Sequence, residues 1–198
     1  MIKNIIFDIG NVILKFNRDY LLSSIYQGEE YEFLKEKLFC NWEMLDEDLL
    51  SLSEYEQNVL NSLPRYLHTY ASAVLNNWEY FMQYSTGIRE LISELKEKGY
   101  NLYILSNMTK HFIKKQYKFP ILDYFDGIVY SALIKMVKPN PEIYEYLLKQ
   151  YNLKANECLF IDDTKTNLVT ATRFGIKTFH YQDNTEVLRD YIFNSLNR

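Results

Sequence analysis

Three aspartates and one lysine in this sequence are placed to do chemistry together. Asp8 ends a short apolar run, "IIFD", and Asp162 and Asp163 end another, "LFIDD". Carboxylates at the ends of two strands of one sheet share a small space. At about 4 Å and an effective dielectric of about 20, each like-charged pair repels by roughly 4 kcal/mol. Such a group needs raised pKa values or a cation. A few hard oxygen ligands suit Mg²⁺, which keeps several waters and accepts a substrate phosphate oxygen. Lys138 brings the opposite charge. It precedes Pro139, which biases it towards extended backbone, and stands just before a helix begun at Pro141. A lysine there holds a phosphate as a point charge. Ser106 and Asn107, after the apolar run "YIL", add hydroxyl, amide and backbone donors.

The elements that must position these residues are readable in outline. Asn4–Ile9 is a short apolar run ended by Gly10, a buried strand and a turn. Ile88, Leu91, Ile92 and Leu95 lie on one helical face, closed by Gly99. "NLYILS" reads as a strand, Thr109–Gln116 as a helix and "GIVYS" as a strand. Asn140 and Pro141 make a cap and first position for a helix running to about Tyr151. "ECLFID" is a strand, and Leu168, Ala171 and Thr172 mark a helix face stopped by Gly175. "KTFHY" is a strand, and Asn184–Leu196 closes the chain as a helix. Strands alternating with helices imply an α/β fold, a mostly parallel, doubly wound, Rossmann-like sheet with helices on both faces. Such sheets bind ligands outside the carboxyl ends of their strands, where Asp8, Ser106, Asp162 and Asp163 fall.

From Arg18 to about Tyr84 strand signals are weak. Leu45, Leu49 and Leu52, then Val59, Leu60 and Leu63, recur at helical spacing, and Pro64 begins or ends a helix. This segment reads as short helices inserted above the sheet edge, a lid. The division is residues 1–15 and 86–198 for the α/β core and 16–85 for the insert.

Composition bounds the rest. The chain has 198 residues, 47% hydrophobic and 24% charged, as a globular protein does. No apolar run spans a bilayer, and the first strand leaves no room for a signal peptide, so a cytoplasmic protein without membrane partners is expected. Residues 16–85 carry twelve acidic against four basic side chains. That argues against a nucleic-acid partner, and "DEDLL" and "GEEYE" read as solvated helix faces. Cys40 and Cys158 match no metal or redox spacing and read as unreactive thiols. His68, His111 and His180 are scattered. The aromatic run "WEYFMQY" (78–84) reads as packing. A monomer is expected, with no heptad pattern.

"FDIGNV", "LSN", "KPNPEIY" and "FIDDTKTN", in this order, resemble the four motifs of the haloacid dehalogenase (HAD) superfamily. The insert is similar to the C1 cap of its subfamily IA. The chain is most similar to the branch holding α-D-glucose-1-phosphate phosphatases and the phosphatase domain of epoxide hydrolases. The resemblance implies a Mg²⁺-dependent phosphatase acting on a small phosphorylated metabolite, a sugar phosphate above all. Asp8 is then the nucleophile that forms an aspartyl-phosphate. Asp8, the Gly10 carbonyl and Asp163 hold Mg²⁺, and Asp162 holds a metal-bound water or Lys138. Ser106 and Lys138 grip the phosphoryl oxygens, while Asn107 and Asn167 position the phosphate or a neighbouring loop. Asn17, Arg18 and Asp19 are the nearest candidates for substrate contact, set against a helix start.

Gly10 departs from the pattern, because many members of the family carry an aspartate there as general acid and base. Its loss is worth about 10²–10⁴-fold. It favours a leaving group that departs with little protonation, such as an anomeric, acyl or aryl phosphate, unless an insert residue or water supplies the proton. It also weighs against a phosphomutase, as Asp162 and Asp163 weigh against a dehalogenase. The alternative is a weakly active or inactive HAD-like protein that binds a phosphorylated ligand or a protein partner.

Overall fold

The computed structural model describes residues 1–196. The chain opens with β1 (Asn4–Phe7), turns, and forms β2 (Leu14–Lys15). Five helices follow: α1 (Arg18–Ser23), α2 (Tyr31–Phe39), α3 (Glu43–Asp46), α4 (Leu52–Asn61) and α5 (His68–Asn77). β3 (Gln83–Tyr84) pairs antiparallel with β2, so both ends of the helical insert leave the core side by side. The remainder alternates: α6 (Ile88–Glu97), β4 (Asn101–Ser106), α7 (Lys110–Lys115), β5 (Gly127–Tyr130), α8 (Ser131–Ile134), α9 (Pro141–Gln150), β6 (Cys158–Asp162), α10 (Lys165–Arg173), β7 (Lys177–His180) and α11 (Thr185–Asp190).

The main sheet is parallel throughout, in the order β5-β4-β1-β6-β7. The chain winds one way from β1 through β4 and β5, then returns to the other side through β6 and β7. β1 is therefore the central strand, flanked by the two strands whose ends carry Ser106 and Asp162. Side-chain alternation divides the apolar residues between the faces. Ile5, Phe7, Leu102, Ile104, Leu159 and Ile161 pack on one side with α6 and the insert. Ile6, Tyr103, Leu105, Cys158 and Phe160 pack on the other against Ile143, Tyr144 and Leu147 of α9 and Leu168 and Ala171 of α10.

Several local expectations need correction. Leu45, Leu49 and Leu52 do not share a helix. Asp48 takes a left-handed φ of +57°, and the N–H groups of Leu49 and Leu50 fold back onto the Met44 carbonyl. Leu49 is left exposed. Asn140 occupies the cap position of α9 without a side-chain hydrogen bond. Thr172 faces solvent, and Thr170 takes the buried position. The closing helix changes after Asp190 into a wider π turn over Tyr191–Ser195. Trp78 packs on Phe16, Trp42 and Phe112, so "WEYFMQY" is indeed core at this point.

Both cysteines are free, and burial pushes the Cys158 thiol up to about 11. The three histidines are each hydrogen-bonded, to Leu63, Glu79 and Asp163. Among the described residues no helix is long and apolar enough to cross a membrane.

Candidate active site

Asp8 is the first residue past β1. Its N–H still bonds the Ile161 carbonyl of β6 at 2.9 Å, so the sheet fixes its backbone. Its carboxylate is used unevenly. Oδ1 accepts from the Ile9 N–H at 2.7 Å and the Ser106 hydroxyl at 2.7 Å, and lies 2.9 Å from the Lys138 ammonium. Among the described residues Oδ2 has no hydrogen-bond partner. Three donors thus hold the group in one orientation while one oxygen keeps its lone pairs. Burial pushes the Asp8 carboxyl up to about 6; Lys138 opposes the rise and Asp162 adds to it.

The turn after Asp8 is wound on one carbonyl. The N–H groups of Val12, Ile13 and Leu14 all point to the Ile9 oxygen, and Asn11 N–H bonds the Leu14 oxygen at 2.8 Å. The Gly10 carbonyl takes no part in these bonds. The left-handed residue of the turn is Asn11, with φ +53°, and not the glycine. A Cβ built on Gly10 meets only Asp8 Oδ2, at 4.0 Å. Neither backbone strain nor crowding requires glycine here, so what matters at position 10 is the missing side chain.

Lys138 lies on the loop before α9, joined to Pro139 by a cis peptide bond. The Asn107 amide clips its backbone, accepting from its N–H at 2.8 Å and donating to its carbonyl at 2.9 Å. Its ammonium is buried between Asp8 and Asp162, 2.7 Å from the latter. Burial alone would lower its pKa, but the two carboxylates raise it above the ordinary value, so it stays charged.

Asp162 ends β6 fully buried. Its oxygens accept from the Thr164 N–H at 2.7 Å and from Asn167 Nδ2 at 3.0 and 3.1 Å. Asp163 is half-buried and accepts from Asn11 Nδ2 at 3.1 Å. Carboxylate oxygens of Asp8, Asp162 and Asp163 lie within 4.8 Å of one another. Three carboxylates facing one lysine leave uncompensated negative charge, and hard oxygens at this spacing are a donor set for a small divalent cation. The Gly10 carbonyl is available to it from the adjoining turn.

The structure thus brings Asp8, Ser106, Lys138, Asp162, Asp163 and Asn167 to one edge of the sheet, with Asn107 behind Lys138. Arg18 is exposed, with its guanidinium 4.8 Å above the Phe39 ring, and among the described residues it makes no hydrogen bond or ion pair with this group. Its neighbours are committed elsewhere: Asn17 caps α1 through the Tyr20 N–H, and Asp19 pairs with Lys35 and Tyr31. The helix-start reading holds for those two. Two further residues have no role in the reading of the sequence. Asn11 stands within "FDIGNV" and bridges Asp163 to the turn, bonding Phe16 N–H as well. Asp46 belongs to "DEDLL", which is no plain solvated face: Asp46 is half-buried and Asp48 pairs with Lys110 at 2.6 Å.

Comparison with known proteins agrees with this geometry. Residues 5–181 match the family model described as haloacid dehalogenase-like hydrolase. D-ribitol-5-phosphate phosphatase of Bacteroides thetaiotaomicron is 27% identical over 94% of this chain and 95% of its own length. Sesquiterpene phosphatase astK of Aspergillus oryzae is 37% identical, over 47% of this chain; the matched region spans about half (48%) of that protein. A HAD family enzyme of Bacteroides thetaiotaomicron, solved as a magnesium complex, superposes with a TM-score of 0.76 at 25% identity, over 95% of this chain and 98% of that one. With about nine-tenths of its length inside that family's model and the acidic edge where the fold places its ligands, the chain belongs to the haloacid dehalogenase-like hydrolases.

Proposed function

We propose that the protein is a Mg²⁺-dependent phosphatase that hydrolyses a small phosphomonoester, a sugar or polyol phosphate, through an aspartyl-phosphate on Asp8. The observation that carries this reading is the Asp8 carboxylate itself. One oxygen is held by three donors, the other is free, and a buried lysine and two further carboxylates stand beside it. A site that merely bound phosphate would not need a fixed carboxylate at its centre, since that charge repels the ligand.

In this reading Asp163, the Gly10 carbonyl and Asp8, through the oxygen that Ser106 and Lys138 give up when they turn to the substrate, would hold Mg²⁺, with Asp162 behind them. The cation, when bound, supplies positive charge to the transferring phosphoryl group and brings an anionic substrate to an anionic site. The free oxygen of Asp8 attacks phosphorus. Lys138 offers its third N–H to the phosphoryl oxygens, and Ser106 redirects its single O–H from Asp8 to them; both stabilise the charge that develops there. Asn107 keeps Lys138 in place through its backbone, and Asn167 does the same for Asp162. Water then releases phosphate from Asp8. The names of the two phosphatases described above support a small phosphate ester as substrate. On the core residues alone, an easy leaving group such as an anomeric phosphate suits a site with glycine at position 10.

The rival reading, a protein that binds a phosphorylated ligand without turning it over, draws on Gly10 alone. Phosphate release from sugar 1-phosphates, sugar 6-phosphates, acyl phosphates and p-nitrophenyl phosphate, with Mg²⁺ and with EDTA, separates the two. Mg²⁺-dependent release from any of them supports the phosphatase. No release from all of them, with Mg²⁺ binding intact, supports the binder.

A further inference from the structure

The last turn of α3 reaches over the same sheet edge from the helical insert. The Asp46 carbonyl accepts a 2.5 Å hydrogen bond from the Ser131 hydroxyl at the start of α8. That hydroxyl accepts in turn from the Met108 N–H at 2.9 Å. Met108 directly follows Ser106 and Asn107. Two residues on, Asp48 is paired with Lys110 at the start of α7, and Lys135, just past α8, stands 4.0 Å from it. Asp46 is therefore anchored to the loops that carry the site, and its placement does not depend on a free hinge.

The Asp46 side chain is half-buried and, among the described residues, its carboxylate has no hydrogen-bond or ion-pair partner. Asp8 and Lys138 face it from the core, Arg18 from α1 and Glu43 from its own helix. Burial and the field of Asp8 push its carboxyl up to about 7, with Arg18 and Lys138 only partly opposing them. A carboxyl held near neutrality can both give and take a proton at ordinary pH. At Gly10, in the turn after Asp8, a Cβ would meet only Asp8 Oδ2, at 4.0 Å, so no side chain stands there to carry a proton.

We propose that Asp46 is the general acid and base of this enzyme, the proton carrier that position 10 does not supply. The inference rests on the reading of Asp8 as nucleophile. In the first step the Asp8–phosphorus bond forms, the ester P–O bond breaks, and the departing oxygen takes the proton of the Asp46 carboxyl to leave as an alcohol. In the second step water attacks the aspartyl-phosphate. Its oxygen joins phosphorus, the bond to Asp8 breaks, and the proton lost from water returns to Asp46. The acid reaches the site from the insert rather than from the turn after β1, and poor leaving groups such as alkyl phosphates come within the enzyme's range.

The test is the dependence of kcat/KM on the leaving group. The substrates are p-nitrophenyl phosphate and whichever alkyl phosphate wild type turns over fastest, with wild type, Asp46→Asn, Asp46→Glu and Asp8→Asn. Asparagine keeps the size of the side chain and removes only the proton. Asp46→Asn is expected to lose about 10²–10⁴-fold on the alkyl phosphate and far less on p-nitrophenyl phosphate, whose leaving group needs no proton. Asp46→Glu retains a substantial part of the alkyl activity, and adding Gly10→Asp to Asp46→Asn restores some of it. An equal loss on both substrates, or no loss on the alkyl phosphate, overturns the assignment, with circular dichroism melts identifying any variant that has lost its fold. If Asp8→Asn still hydrolyses p-nitrophenyl phosphate, the nucleophile reading beneath it has failed instead.

Discussion

Replacing Lys138 with methionine removes the only cation that, among the described residues, is buried with the site carboxylates, while keeping most of the side chain's bulk. The Lys138 side chain is 1% exposed and lies 2.9 Å from Asp8 and 2.7 Å from Asp162. At an effective dielectric of about 20, each contact represents roughly 6 kcal/mol of gross attraction. Desolvation of the three charges cancels most of that. What remains visible when one partner of a buried pair is removed is about 3–5 kcal/mol. For a chain of this length that lowers the melting midpoint by roughly 6–20 °C. Without Lys138, Asp8 also loses the field that restrains its pKa and rises further above about 6. Mg²⁺ then becomes the main source of compensating charge, so it stabilises the variant more than it stabilises wild type. The assay is thermal unfolding of both proteins in EDTA and in saturating Mg²⁺, with phosphate release measured alongside. The variant is expected to melt well below wild type in EDTA, to recover part of the gap in Mg²⁺, and to show no turnover. A variant as stable as wild type in EDTA, or one shifted by Mg²⁺ no more than wild type, refutes the reasoning.

Two further outcomes follow from other contacts. Glu79 is buried with His111, Lys115 and Lys118 against it; burial alone would raise its carboxyl, but those hydrogen bonds outweigh it and hold the group at about 2 against an ordinary 4.5. A depressed carboxyl contributes stability above its unfolded pKa and loses it as pH falls through the folded one, so about 3 kcal/mol drains away between pH 4.5 and 2. Urea unfolding of wild type and Glu79→Gln should show a gap that closes across that window, and a gap constant with pH contradicts the assignment. Asn107→Ala strips both hydrogen bonds from the Lys138 backbone, at about 1–3 kcal/mol of stability. Turnover should fall while Mg²⁺ affinity stays near wild type, because Asn107 touches no carboxylate; a large loss of Mg²⁺ affinity would place Asn107 differently.

The parallel sheet was legible because its inner strands are apolar runs with a polar residue at the carboxyl end. "NLYILS" and "ECLFID" show this, and β4 and β6 follow them closely. Asp8, Ser106 and Asp162 could be placed together for the same reason, since a parallel sheet gathers the ends of neighbouring strands at one edge. Lys138 was legible through its sign and the helix start behind it. β2 and β3 were not, because two residues per strand carry no periodicity and their pairing spans the whole insert. Asp46 was not because acidic residues in a helical stretch face solvent far more often than they face a site. Contacts distant in sequence, Ser131 to the Asp46 carbonyl and Lys110 to Asp48, fasten that helix end to the loops beside the site. The role of Gly10 was legible as a missing carboxylate, but the turn needed Asn11 rather than glycine for its left-handed backbone.

The central claim is that Asp8 attacks phosphorus, and phosphate release by Asp8→Asn in Mg²⁺, measured beside wild type on p-nitrophenyl phosphate, tests it most directly. The substitution removes the nucleophile, keeps the side chain's shape and leaves Ser106 and Lys138 in place. The account expects wild type to release phosphate and the variant to fall below detection with its melting temperature preserved. Hydrolysis by the folded variant at a rate near wild type would contradict it.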